Sequence, residues 1–149
     1  MRLDIQSVEE LLEELGISQD TNDTKDAQKP RKHVLVVDDD VRMLRLIKKY
    51  LEADYDVATA VNGKVALKFL ETRHTDLILL DYEMPLEDGP SVLEKIRQNS
   101  EHKNLPVIFL TGVSSKEKIQ EVLQLRPQGY LLKPINRQKL LLTIKKNIG

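Results

Sequence analysis

The chain contains no cysteine and no tryptophan, and it carries few aromatic residues. Among its 149 residues, Phe, Tyr and Trp together make up only 4%. Without cysteine there is no disulfide framework and no thiolate metal site, which is typical of proteins from a reducing compartment. The net charge of -1 and the scarcity of rings that could stack on bases also argue against a nucleic-acid-binding surface. We therefore predict that the chain does not bind nucleic acid.

A long apolar run and a cluster of glycines are also missing. No uninterrupted apolar stretch approaches the roughly 20 residues that span a bilayer. The N-terminus places acidic residues where a signal peptide has its apolar core. The six glycines are scattered and do not form the phosphate-cradling loop of a nucleotide site. We therefore predict a cytoplasmic protein that is not inserted in a membrane and does not bind nucleotides.

Charge is distributed unevenly between the N-terminal segment and the rest of the chain. Residues 1–28 contain eight acidic and two basic residues, a net charge of -6, so the remainder carries +5. Ser7 and Glu10 form a capping box that precedes a stripe of leucines, and Gly16 follows as a helix stop. Three segments are predicted: a short acidic amphipathic helix at 1–17, a flexible linker at 18–32, and a main domain at 33–149. Our hypothesis is that the leucine stripe packs on a main domain, either its own or that of a second subunit in a homodimer.

Continuous apolar runs alternate with segments of helical periodicity in the main domain. The runs read VLVV, DVATA, LILL, VIFL and YLL, starting at residues 34, 56, 77, 107 and 130. The helical segments lie at residues 41–52, 62–73, 90–99, 115–125 and 136–148. Strands that are apolar on both faces and alternate with helices are typical of a parallel sheet covered by helices on each side. The predicted fold is a doubly wound α/β domain with five parallel strands in the flavodoxin-like order 2-1-3-4-5.

Polar side chains follow four of the predicted strands. In open sheets of this class, ligands bind outside the carboxyl ends of the strands, where the strand order reverses. The residues that this rule brings together are Asp38, Asp39, Asp40, Asp81, Thr111 and Lys133. Carboxylates suit Mg²⁺, and the Asp81 carboxylate can attack a phosphoryl group. Lys133 can then balance the added charge while Thr111 donates a hydrogen bond to a phosphoryl oxygen.

Four motifs, VLVVDDD, LILLDYEMPLEDG, FLTG and LLKP, occur in this order along the chain. They place Thr111 30 residues after Asp81, and Lys133 a further 22 residues on. In this order and at these distances the motifs resemble the receiver domain of two-component response regulators, over about residues 33–148. Asn62 and the residues after it also match the start of that family's second helix.

The resemblance implies a role for each matching residue at the acidic site. Asp81 would be the phosphoacceptor, and Asp38 and Asp39 would form the acidic pair that binds Mg²⁺ together with Asp81. The backbone carbonyl of Glu83 would complete the protein's share of the metal ligands. Mg²⁺ is therefore the cofactor that the resemblance implies.

The resemblance also implies a switch that responds to phosphorylation. Thr111 would be the switch hydroxyl, Lys133 would contact the phosphoryl group, and the Lys133–Pro134 peptide bond would be cis. Tyr130 would be the switch aromatic, whose ring turns inward when Thr111 moves toward the phosphoryl group. The family reads out this change as a population shift of the surface formed by its fourth helix, fifth strand and fifth helix.

The predicted function is a phosphoryl-accepting signalling switch of a two-component phosphorelay. A histidine kinase or a phosphotransfer protein would phosphorylate the chain, and an unknown downstream protein would bind it. The chain would catalyse only its own phosphorylation and dephosphorylation, so it is not predicted to be an enzyme with a separate substrate. Because the sequence stops at Gly149 without an output domain, it resembles a stand-alone receiver or one cut from a larger protein.

Other interpretations of the same residues stay open on the sequence. An Mg²⁺-dependent aspartyl phosphohydrolase typically has a second Asp two residues after its nucleophile, where this chain has Glu83. A degenerate receiver would act as a phosphate-independent binding module. Asp40 is interpreted as a helix cap in preference to a third ligand, because Val41 begins a helix and Asp is a favoured cap. The three histidines lack metal or triad spacing and are expected at solvated positions.

Overall fold

A computed structural model of the chain describes residues 30–112, 120 and 123–149. Within it, Lys32–Gly149 form one compact unit that contains all the elements described below. The predicted helix at 1–17 lies outside the described residues, as do nearly all of the linker at 18–32 and most of the predicted helix at 115–125.

Strands and helices alternate along the described part of the chain. The strands are β1 (His33–Val37), β2 (Asp56–Ala60), β3 (Leu77–Asp81), β4 (Val107–Thr111) and β5 (Gly129–Leu132). The helices are α1 (Val41–Leu51), α2 (Gly63–Thr72), α3 (Gly89–Gln98) and α4 (Arg137–Ile148), with a 3-10 turn at Ser100–His102. None of the helices described has the length and apolar composition needed to span a bilayer.

The five strands form one parallel sheet in the order β2-β1-β3-β4-β5, which confirms the predicted fold and strand order. Val37 at the end of β1 pairs with Ala60 of β2 on one side and with Leu80 of β3 on the other. Asp81 pairs with Leu110 of β4. This register brings the carboxyl ends of the strands to one edge, so the residues that follow them become neighbours.

Two apolar cores flank the sheet because successive side chains of a strand point to opposite faces. On β1, Val34 and Val36 belong to the core that α1 and α4 cover, whereas Leu35 and Val37 belong to the core that α2 and α3 cover. All five residues of β3 are buried. Each fully buried Leu, Ile or Val contributes roughly 1.5–3 kcal/mol, so these two layers hold the carboxyl edge in place.

Each described α-helix is preceded by an Asp or Asn cap whose side chain accepts a backbone hydrogen bond. Asp40 accepts from the Arg42 N–H at 2.9 Å, which confirms its interpretation as the cap of α1. Asp88 caps α3 by accepting from the Ser91 N–H at 3.0 Å. This cap makes Gly89 the first residue of α3, one position before the predicted start at Pro90, because the capping side chain fixes where the first turn closes.

Candidate functional site

Three carboxylates converge at the carboxyl edge of the sheet. Asp38 and Asp39 follow β1, Asp81 ends β3, and one oxygen from each lies within 4.8 Å of the others. Asp38 is fully buried, Asp81 is 3% exposed, and Asp39 faces solvent. The register of the parallel strands thus turns residues 43 positions apart into neighbours.

The Lys133 ammonium bridges the two buried carboxylates. Its Nζ lies 3.0 Å from Asp38 Oδ2 and 3.1 Å from Asp81 Oδ1. The Lys133 backbone N–H donates to the Thr111 carbonyl at 2.8 Å, and the Lys133–Pro134 peptide bond is cis. The backbone at the end of β5 is therefore held against β4 while the side chain reaches across to β1 and β3.

Asp38 is held by its immediate neighbours as well as by Lys133. Its backbone N–H donates to the Ala60 carbonyl at 3.1 Å, and its Oδ1 accepts the Asp40 N–H at 2.9 Å. The Asp40 carboxylate instead caps α1, and it is not part of the carboxylate cluster. The DDD stretch thus divides into two cluster residues and one capping residue.

The site destabilises the charged form of Asp81 when no cation is bound. Burial and the charge of Asp38 raise the pKa of Asp81 to about 7, against a usual value of 3.8, although Lys133 opposes the shift. Burial alone would lower the pKa of Lys133, but the hydrogen bonds and charges of Asp38 and Asp81 raise it. The site thus carries more negative charge than one lysine neutralises.

The donor set fits a hard divalent cation. Mg²⁺ binds carboxylate oxygens and retains several waters, so one or two direct carboxylates suffice. Asp38 and Asp81 supply buried oxygens, and the exposed Asp39 leaves an open side for water and a phosphoryl oxygen. A cation here would also relieve the repulsion that raises the pKa of Asp81.

The loop after β3 folds back over the backbone of Asp81, and Gly89 makes this possible. A Cβ at Gly89 would lie 2.5 Å from the Asp81 carbonyl oxygen and 2.8 Å from the Phe109 ring. The Gly89 N–H donates to the Tyr82 carbonyl at 2.9 Å. The role of Gly89 is not predictable from the sequence, because the glycine of LEDG signals a close approach only once its neighbours are known.

The other predicted residues lie around the cluster without joining it. Thr111 is 3% exposed and ends β4, next to the end of β3. Tyr130 is 47% exposed on the edge strand β5, where it pairs with Phe109 of β4. Glu83 lies two residues beyond Asp81 with an exposed side chain. The structure thus brings together Asp38, Asp39, Asp81 and Lys133, with Thr111 beside them.

Two of the histidines lie near acidic residues at the opposite, amino edge of the sheet. His74 Nε2 lies 2.7 Å from Asp76 Oδ1, and the His33 N–H donates to Asp76 Oδ2 at 2.7 Å. The His74 side chain is 73% exposed and the His33 side chain is 46% exposed, so both reach solvent. In the described ranges, the one group of three acidic or histidine side chains close enough to share a metal ion is the aspartate cluster.

Comparison with known proteins gives the same class as the fold and the site. The response regulator receiver domain family matches residues 34–145. The chain is 32% identical over 114 residues to two-component response regulator ORR3 of Oryza sativa subsp. indica, covering 75% of this chain and 87% of that protein. It is 37% identical over 103 residues to a probable cyclic di-GMP phosphodiesterase of Vibrio cholerae, covering 69% of this chain.

Solved structures agree with the sequence comparison. The chemotaxis protein CheY4 of Vibrio cholerae superimposes with a TM-score of 0.76 and 33% identity, covering 79% of this chain and 99% of that one. A five-stranded doubly wound sheet with an acidic cluster and a lysine at its carboxyl edge is the architecture of a phosphoryl-accepting receiver. The chain belongs to the response regulator receiver domain family.

The curated relatives differ in how much of their length this chain accounts for. It spans 23% of the probable phosphodiesterase and 44% of a probable transcriptional regulator ycf27 of Cyanidium caldarium, against 87% of the rice response regulator. The receiver family acts in signalling and is generally not enzymatic. The activity named for the phosphodiesterase therefore concerns a much longer protein of which the matched region is a small part.

Proposed function

We propose that Asp81 is the residue that accepts the phosphoryl group. The main support for this assignment is the position of the Lys133 ammonium, which lies within hydrogen-bonding distance of both Asp38 and Asp81 in a largely buried site. Asp81 is the central acid of this arrangement, because β3 lies between β1 and β4. A group transferred to its carboxylate oxygen would therefore lie near the Lys133 ammonium and near Thr111 at the end of the neighbouring strand.

The phosphodonor is a phosphohistidine on a histidine kinase or phosphotransfer protein. An oxygen of the Asp81 carboxylate forms a bond to phosphorus while the phosphorus–nitrogen bond of the donor breaks. The electron pair of that bond stays on the imidazole nitrogen, and Asp81 becomes an acyl phosphate. Attack of water on phosphorus later releases inorganic phosphate and restores the carboxylate. The chain thus modifies only itself and turns over no separate substrate.

Asp38, Asp39, Asp81 and the backbone carbonyl of Glu83 are the proposed ligands of Mg²⁺. When bound, Mg²⁺ supplies charge neutralisation for the carboxylates and for the phosphoryl oxygens. Lys133 stays charged because its partners raise its pKa, and it is placed to form an ion pair with the added phosphoryl group. Thr111 is the proposed hydrogen-bond donor to a phosphoryl oxygen.

Readout of the phosphorylated form is proposed to involve Tyr130 and the surface around β5. Thr111 and Tyr130 lie on adjacent strands, and the Tyr130 ring is half exposed, so it is not fixed in the core. An unidentified downstream protein, or a second copy in a homodimer, would bind the altered surface. A cytoplasmic location is proposed because it is consistent with the receiver domain family.

The phosphoacceptor is tested by incubating the chain with acetyl phosphate and Mg²⁺ and measuring the added mass. We expect one phosphoryl group on the wild type and none on Asp81→Asn. Asp88→Asn is the matched control, because Asn also caps helices and this position lies in the same loop. Persistent labelling of Asp81→Asn at the wild-type level would contradict the assignment.

The same preparation distinguishes the two other functions left open by the sequence. Repeated turnover of a generic phosphate ester would favour a phosphohydrolase, whereas a receiver takes up one phosphoryl group per chain. Beryllofluoride, which mimics the phosphoryl group, should shift amide resonances around Tyr130. If these resonances do not move, the chain would act as a phosphate-independent binding module.

A further inference from the structure

Leu86, in the loop after β3, combines a strained backbone with a fully exposed apolar side chain. Its φ is +73°, and among the described residues only Arg126 is another non-glycine residue with positive φ. The Glu87 N–H donates to the Pro85 carbonyl at 2.8 Å, so Leu86 is the central residue of a three-residue turn. A γ-turn with positive φ at its centre is rare and strained, and a bulky residue there is an outlier.

In the described part of the chain, no contact of the Leu86 side chain offsets this strain. The Leu86 side chain has a relative exposure of 109%, as much as in an extended peptide, so it gains no burial. Glycine or asparagine would adopt the same backbone at lower cost and would expose less apolar surface. Arg126 differs, because its carbonyl accepts a hydrogen bond from Arg97 Nη2 at 3.1 Å. A leucine at position 86 is therefore unfavourable in the isolated chain for two reasons: its backbone is strained, and its apolar side chain is exposed to water.

The residues around Leu86 hold the turn in place. Met84 is buried in the core that α2 and α3 cover, and Glu87 forms an ion pair with Lys95 of α3. Asp88 caps α3, and the Gly89 N–H donates to the Tyr82 carbonyl. Because the chain is fixed on both sides, Leu86 presents its side chain to solvent from a defined position.

That position lies in the loop that begins after the proposed phosphoacceptor and returns to it, since Gly89 approaches the Asp81 carbonyl oxygen. Leu86 follows Asp81 by five residues, and Asp81 is almost fully buried, so a protein donor must approach the edge that surrounds it. Val61 and Val65 are exposed at the start of α2 on the same edge. A Cβ at Gly63 would lie 2.8 Å from a Glu87 carboxylate oxygen, so the start of α2 lies against the side chain of the residue that follows Leu86.

We infer that Leu86, together with the exposed Val61 and Val65 at the same edge of the sheet, docks the protein that delivers the phosphoryl group, by contacting an apolar patch next to its phosphohistidine. This inference rests on the proposed function of Asp81. The exposed leucine stabilises the complex when a partner covers its side chain, and this binding free energy offsets the backbone strain. A small phosphodonor reaches Asp81 without such a contact, so Leu86 selects protein donors and takes no part in the bond-making step.

The test compares Leu86→Asn with the wild type using two donors. One donor is acetyl phosphate, and the other is an autophosphorylated histidine kinase chosen from a panel because it phosphorylates the wild-type chain. We expect kcat/KM for transfer from the kinase to fall about tenfold, the size of a single apolar docking contact. Labelling by acetyl phosphate should keep its wild-type rate, and the melting temperature should rise by a few degrees as strain is relieved.

Leu142→Asn is the matched control, because Leu142 is 68% exposed on α4 and lies in a regular helix. It should leave both donors unaffected. Equal kinase transfer to Leu86→Asn and to the wild type would overturn the inference, and so would an equal loss with both donors. A change in the mass of the particle in solution with unchanged kinase transfer would assign Leu86 to self-association instead. Failure of the Asp81 assignment is distinguishable, since it would appear as labelling of Asp81→Asn by acetyl phosphate.

Discussion

The Nζ atom of Lys133 lies 3.1 Å from Oδ1 of Asp81, although the two residues are 52 positions apart in the chain. This single ammonium also contacts Asp38, so one positive charge serves two buried carboxylates. The excess of negative charge is what raises the pKa of Asp81 to about 7. Several consequences for stability can be measured on the purified protein.

Replacing Asp81 by Asn should stabilise the protein when divalent cations are removed. The unfolded chain loses the Asp81 proton near pH 3.8, whereas the native chain holds it until about pH 7. Between these values the native state binds more protons, so stability falls as pH rises. In EDTA at pH 8, Asp81→Asn should therefore unfold at higher urea concentration than the wild type, by a free energy on the order of a few kcal/mol. The difference should shrink at pH 5, and an advantage that instead grew toward acid would contradict the electrostatic explanation.

Mg²⁺ should raise the melting temperature of the wild type, and Asp39→Asn should remove most of that rise. Binding to the native state alone stabilises a protein in proportion to the logarithm of ligand concentration. Because Asp39 is exposed, its replacement should change the stability of the metal-free protein little. Thermal unfolding across a magnesium titration measures both effects, with the exposed Asp54→Asn as control. An undiminished magnesium response in Asp39→Asn would exclude this carboxylate as a ligand.

Gly89→Ala should destabilise the protein, whereas Gly129→Ala should not. The added methyl group at residue 89 meets the Asp81 carbonyl oxygen and the Phe109 ring, both held by the sheet. Overpacking of this kind costs about 1–3 kcal/mol. At Gly129 the same methyl group meets nothing within 4 Å, which makes it the matched control. Urea unfolding of both variants provides the measurement, and equal stabilities would show that the loop moves aside without cost.

Asp76→Asn should lower stability at neutral pH, and the loss should diminish in acid. Burial alone would raise the pKa of Asp76, but hydrogen bonds from the His33 backbone and the His74 ring lower it below 3.8. Its contribution is therefore present above pH 3.8 and is lost as pH falls through the lower native value. Removing a hydrogen bond to a charged group costs about 1.5–3 kcal/mol. Urea unfolding from pH 7 down to pH 3 would test this; a constant difference across that range would argue against the hydrogen-bond origin.

Much of the fold could be predicted because the relevant signals are local. The apolar runs predicted all five strands. The three central strands β1, β3 and β4 are buried on both faces and are therefore apolar almost throughout, whereas the edge strands β2 and β5 are partly exposed. Asp40 was assigned as a cap because a cap and the helix that it starts are adjacent in sequence. The predicted start of α3 at Pro90 is one residue later than the observed start at Gly89. Asp88 and Pro90 are both helix-start signals, and only the backbone conformation decides between them.

The sequence by itself determined which chemical groups could reach the carboxyl edge, because strand order and the parallel direction follow from the alternation of strands and helices. Only the tertiary structure decided that the Lys133 ammonium bridges Asp38 and Asp81, that Gly89 has no room for a side chain, and that Leu86 occupies a strained turn in full exposure. These features depend on the relative placement of segments far apart in the chain and on loop dihedral angles. Apolar periodicity carries no information about either, since it reports only which face of each element is buried.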